Sequence, residues 1–210
     1  MAEHVVPHHF ESAEQAYSSA KLGMWLFLVT EILLFGGLFV AYIVFKHLYP
    51  DLFHQASKLL SRPMGTLNTA VLIFSSFTMA MAVNASKLGQ QKKTGLYLLV
   101  TFVCGLIFLI VKFFEYQHKF HVGTLPGFFY HSTELTHPQA PLFFGLYFTM
   151  TGLHGLHVIA GMSLIFWCWL KNRKHQFSAH YFTPVENVGI YWHLVDLIWI
   201  YLFPLLYLIG

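Results

Sequence analysis

Five long apolar runs alternate with shorter polar stretches along this chain, at about residues 22–45, 67–88, 94–116, 141–170 and 186–209. At 1.5 Å per helical residue, even the shortest run reaches roughly 33 Å, enough to cross the hydrocarbon of a bilayer. The pattern predicts an all-α integral membrane protein. A polar tail at residues 1–20 precedes one domain at 21–210, a bundle of five transmembrane helices. The punctuation agrees. Pro141 suits the first turn of the fourth helix. Trp25, Tyr49, Trp167 and Trp169 fall where chains enter or leave a membrane. Residues 46–66 read as a polar connection, and 117–140 as a longer loop rich in His, Gly and Pro. The second run carries Asn68, Thr69, Ser75, Ser76, Thr78, Asn84 and Ser86, which suits a helix that touches protein on most sides.

Composition removes the alternatives to this picture. With 56% hydrophobic and only 10% charged residues, the chain is no ordinary soluble domain. A scattered net charge of +3 does not suit nucleic acid. Cys104 and Cys168 both lie in apolar runs and read as small buried hydrophobes rather than a disulfide or metal pair. Residues 1–20, with Glu3, Glu11 and Glu14, lack the apolar core of a cleavable signal. His4, His8 and His9 there read as part of a solvated tail. Five crossings put the termini on opposite sides. Seven basic residues (Lys21, Lys87, Lys92, Lys93, Lys171, Arg173, Lys174) fall on the N-terminal side. Five (Lys46, Lys58, Arg62, Lys112, Lys119) fall on the other. The bias predicts a cytoplasmic N-terminus and an external C-terminus.

The candidate chemistry lies in the ionisable groups inside the runs: Glu31, Lys112 and Glu115, His154 and His157, His193 and Asp196. Helical rise places Glu31 about 13 Å, His193 about 10 Å, Asp196 about 15 Å and the His154/His157 pair roughly 20–24 Å from the N-terminal side. Lys112 and Glu115 stand apart as a helix-end pair, three residues apart and able to neutralise each other. Thr151, His154, His157 and Gly161 make one stripe, and His193 with Asp196 another. Such groups must meet protein or water rather than lipid. Glu31 therefore requires either its own proton or a histidine or hydroxyl partner on a neighbouring helix. Four uses stay open on these residues alone. They are a metal site from His154, His157, His193 and Asp196, a bis-histidine haem between the last two helices, a proton relay through Glu31, His157 and Asp196, and a structural hydrogen-bond network. No internal repeat or pair of broken helices points to a transporter.

Four blocks then carry a resemblance. They are Glu31-Ile-Leu-Leu-Phe with Ala41-Tyr42; Leu67-Asn-Thr69; Glu115-Tyr116; and Thr151-Gly-Leu-His-Gly-Leu-His-Val158 through Gly161, joined with Tyr191-Trp-His-Leu-Val-Asp-Leu-Ile-Trp199. In this order, from about residue 20 to the end, the chain resembles subunit III of the haem–copper respiratory oxidases, cytochrome c oxidase in particular. The resemblance implies a multi-pass subunit of a bacterial inner membrane that holds no haem, copper or other cofactor. The redox metals belong to partner subunits I and II. It implies packing on subunit I, contact with phospholipids, support of proton uptake and protection of the active site during turnover. The family's buried carboxylate falls on Glu31. Larger members have seven spans, and this chain matches the short five-helix form. Lys112 stands where some relatives carry Gln. Quinol oxidases and relatives associated with nitric oxide reductases share the five-helix form; the quinol-oxidase form often carries Asp at the position of Glu31, so Glu31 favours cytochrome c as the electron donor.

Overall fold

The computed structural model describes residues 12–126, 130–132, 135, 137–178 and 181–209. His4, His8 and His9 lie outside the described residues. Among the described residues six α-helices follow one another: α1 (Ala13–Leu48), α2 (Pro50–Lys58), α3 (Arg62–Lys87), α4 (Gln91–His121), α5 (Ala140–Arg173) and α6 (Thr183–Phe203). The last continues into a π-helical turn, Pro204–Leu208. Five of these helices are long and apolar enough to cross a membrane.

The helices outrun the apolar segments that announced them. α1 starts at Ala13, where Ser12 caps the helix by accepting from the Gln15 amide at 3.1 Å, with Glu14 in the first turn. α4 runs on to His121 through Gln117, His118 and Lys119. Polarity ends a membrane crossing but not a helix, because polar residues with good helix propensity extend it into water. Two expectations change as a result. The Lys112/Glu115 pair is not at a helix end, since α4 continues for more than a turn beyond it. The stretch at 46–66 is also more than a polar connection. It contains α2, opened by Pro50 at a position where no amide hydrogen is needed, and α2 buries Leu52, Phe53 and Ala56.

α3, α4, α5 and α6 pack around a shared core, and α1 lies against α6 and α5. Of the five crossing helices α1 is the least buried and α6 the most. Glycine makes the tightest approaches. A Cβ at Gly161 of α5 would lie 2.8 Å from the Trp192 ring of α6, and one at Gly105 of α4 would lie 2.9 Å from Met162. At the C-terminal end Tyr42, Phe53 and Phe143 meet edge to face, tying α2 to α1 and α5. Pro204 cannot donate a backbone hydrogen bond, and the widened turn after it closes when the Ile209 amide donates to the Pro204 carbonyl at 2.9 Å.

Candidate functional site

Glu31 of α1 and His157 of α5 meet. His157 Nε2 lies 2.8 Å from Glu31 Oε2. The other ring nitrogen, Nδ1, donates to the Leu153 carbonyl one turn earlier at 2.8 Å. A carbonyl only accepts, so Nδ1 carries a hydrogen. That leaves two arrangements across the Glu31–His157 contact: a neutral carboxyl donating to Nε2, or a carboxylate accepting from an imidazolium. Either way one hydrogen lies between Glu31 Oε2 and His157 Nε2. Phe35 packs edge-on to the imidazole with centroids 5.2 Å apart, and the Tyr191 hydroxyl donates to the His157 carbonyl at 3.1 Å. The seam is thus built by α1, α5 and α6 together.

His154 has a different neighbourhood. Three residues on a helix are about 60° short of a full turn, and this offset turns His154 away from α1 into the four-helix core. Its ring lies 5.5 Å from Phe108 of α4 and 5.3 Å from Trp199 of α6, fully buried, with neither nitrogen hydrogen-bonded among the described residues. The pair predicted as one stripe therefore serves two separate places. His193 is held elsewhere, with Nδ1 2.7 Å from the Ser76 hydroxyl of α3. Asp196 is buried beside Ser76, and among the described residues neither carboxyl oxygen makes a hydrogen bond of good geometry. The candidate ligand set of His154, His157, His193 and Asp196 does not converge. Among the described residues no three His, Cys, Asp or Glu side chains gather as a metal site. Among the described residues no continuous hydrogen-bonded path runs from Glu31 through His157 to Asp196 either.

Lys112 and Glu115 form the most complete polar cluster. Lys112 Nζ donates to Glu115 Oε2 at 3.0 Å, to the Tyr207 hydroxyl at 3.0 Å and to the Tyr147 hydroxyl at 3.3 Å. An ammonium has three hydrogens, and all three are placed. Tyr207 donates in turn to Glu115 Oε1 at 2.6 Å. The rings of Tyr116, Tyr147, Trp199 and Tyr207 surround the nitrogen at 5.1–5.6 Å. Beside it the hydroxyls of Tyr116 and Thr151 lie 2.6 Å apart.

Sequence reading missed Tyr147, Tyr207 and Ser76 as partners. It also missed a second ionic cluster around Glu186. That carboxylate meets Lys87 at 2.8 Å and Lys21 at 3.6 Å, and accepts from the Tyr17 hydroxyl at 2.8 Å, tying α6 to α3 and α1. Its signal was an acidic residue in the first turn of a helix, where the helix dipole favours one.

A sequence model of the family described as cytochrome c oxidase subunit III matches residues 7–210. The chain belongs to that family. It is a multi-pass membrane protein, a subunit III of a haem–copper oxidase and so part of an oxidoreductase complex. Among its relatives, it is 27% identical over 212 residues to the cytochrome bo(3) ubiquinol oxidase subunit 3 of Pseudomonas aeruginosa, covering 99% of this chain and 93% of that protein. It is 25% identical over 190 residues to the probable quinol oxidase subunit 3 of Staphylococcus aureus strain USA300, covering 90% of this chain and 89% of the relative.

Proposed function

We propose that this subunit III is an accessory component, with no haem, copper or other redox centre of its own, that sustains proton uptake and active-site integrity in partner subunit I. Subunit I packs directly against it, subunit II completes the redox machinery, and phospholipid surrounds the rest. The complex lies in a bacterial inner membrane, with the N-terminus of this chain cytoplasmic.

The observation carrying this reading is the Glu31–His157 contact, a proton-holding pair within a five-helix subunit. Its groups are 12% and 15% exposed, close enough to the surface to exchange a proton but shielded from bulk water. In the assembled oxidase, Glu31→Ala is expected to leave assembly intact and to reduce the number of turnovers completed before inactivation. An unchanged catalytic lifetime and an unchanged proton stoichiometry in the variant would remove this role.

For the electron donor we favour cytochrome c, on the glutamate at position 31. A quinol is the second reading, favoured by the names of the two relatives above. Oxygen consumption by the purified complex with reduced cytochrome c, and then with a reduced quinol, separates the two.

A further inference from the structure

We propose that the widened turn at the end of α6 is a latch between α1 and the Lys112/Glu115 cluster. Its backbone carbonyls are seized by α1 and α3, and one of its side chains completes the buried charge cluster. The C-terminal end of α1 therefore cannot leave the bundle without uncovering those charges. The latch goes beyond the accessory role above and holds whether or not Glu31 exchanges a proton.

The last carbonyls of a helix have no partner within it, and they carry the negative end of its dipole. The turn Pro204–Leu208 has no basic residue of its own to meet them. Side chains from two other helices do so instead. The Tyr42 hydroxyl of α1 donates to the Leu205 carbonyl at 2.8 Å, and Arg62 Nε of α3 donates to the Tyr207 carbonyl at 3.1 Å. Lys46, one turn beyond Tyr42 on the same face of α1, donates to the Ile209 carbonyl. These contacts join residues 145 or 163 positions apart, so each ties distant parts of the chain. The close fit against α3 requires a glycine. A Cβ at Gly65 would lie 2.6 Å from the Phe203 ring and 3.2 Å from the Tyr207 ring.

Tyr207 is the junction. Arg62 holds its carbonyl, while its fully buried side chain enters the charge cluster. There the hydroxyl accepts from Lys112 at 3.0 Å and donates to Glu115 at 2.6 Å. Withdrawing the turn takes a partner from an ammonium and from a carboxylate at once. A buried charged group that loses a hydrogen bond costs more than a neutral one. The cluster therefore resists opening of the turn and, through Tyr42 and Lys46, departure of α1. That resistance matters because α1 is the least buried of the crossing helices and has little packing to hold it. Coupling of this kind is reciprocal. Loosening the grip on the carbonyls must loosen the cluster, and disturbing the cluster must loosen α1.

The test follows hydrogen–deuterium exchange, peptide by peptide, in the detergent-solubilised complex containing the full chain. The variant Lys46→Met, Arg62→Met releases two carbonyls and leaves Tyr207 and both charges in place. It is expected to speed exchange roughly tenfold at the C-terminal end of α1, in the turn after α6, and in α4 around Lys112 to Tyr116. Combined with Lys112→Met and Glu115→Leu, the same two substitutions should still loosen α1 and the turn but no longer change α4. Faster exchange at α1 alone, with α4 as in the native protein, overturns the latch and leaves independent anchors. An equal response of α4 with and without the two charges also overturns it, because the turn would then act by packing alone. Tyr207→Phe runs the coupling in reverse and carries the test if the first variant is not recovered. It touches no contact of α1, yet should speed exchange at the C-terminal end of α1, and a native rate there overturns the proposal.

Discussion

Two ionic pairs in this subunit solve the same problem in opposite ways. Lys112 and Glu115 lie three residues apart on one helix, 9% and 2% exposed, with every ammonium hydrogen and both carboxylate oxygens engaged. Glu31 and His157 come from different helices, lie partly open, and share a single proton. The first is a closed network in which removing either charged member strands the other. The second can change its proton arrangement without changing its net charge. A rigid pair suits the core of the four-helix bundle, and an exchangeable one suits the looser seam with α1.

The contrast is tested most severely at Lys112. Lys112→Ala leaves Glu115 and two tyrosine hydroxyls buried without their partner, and should destabilise the subunit by about 3–5 kcal/mol. The double variant Lys112→Met, Glu115→Leu removes both charges and keeps the volume, so it should be more stable than Lys112→Ala alone. Thermal unfolding of the complex in detergent measures both. A double variant no better than the single would mean that the surrounding tyrosines, rather than the charge pair, carry the loss.

The crossing helices were legible in the sequence because lipid forces apolar residues and internally satisfied backbones on any segment within it. Outside the lipid that constraint ends, so helix ends were misplaced and α2 was hidden by the mean polarity of its nine residues. Within the site, what lay along one helix was readable, such as Lys112 beside Glu115. What lay across helices was not. Tyr207 is 95 residues from Lys112, and no local spacing announces it. Glu31 needed its own proton or a histidine or hydroxyl partner on physical grounds, and the sequence did not fix whether His154, His157 or another group would provide it. The offset of about 60° between those two residues decides it.

His154 sharpens the comparison from the other direction, as an imidazole in the sealed core that belongs to neither pair. Both its nitrogens are buried without partners between Phe108 and Trp199. An unsatisfied buried polar group costs about 1–3 kcal/mol, and an apolar ring of similar shape removes that penalty. His154→Phe should therefore be neutral or stabilising by up to about 1 kcal/mol, read as the unfolding midpoint of the complex. A clear loss of stability would show that the ring is bonded to internal water and that the core is wetter than its packing implies.

The smallest effect on stability is expected at Glu31, and it is the most informative about the pair. Glu31→Gln keeps the side-chain shape and a hydrogen bond to His157, so it should shift stability by no more than about 1 kcal/mol. An amide can donate to His157 Nε2 as a neutral carboxyl does, yet it cannot take up or release the proton. The variant therefore preserves the contact and abolishes the exchange. If exchange is what the pair provides, Glu31→Gln must shorten catalytic lifetime as much as Glu31→Ala does. If the contact only holds α1 against α5, Glu31→Gln should behave as the native protein and Glu31→Ala alone should fail. Infrared difference spectra between protonated and deprotonated samples give an independent reading, because only the native pair can show a carboxyl band that appears and disappears. The difference between a sealed pair and an exchanging pair rests on that band, and on the two variants parting from each other or not.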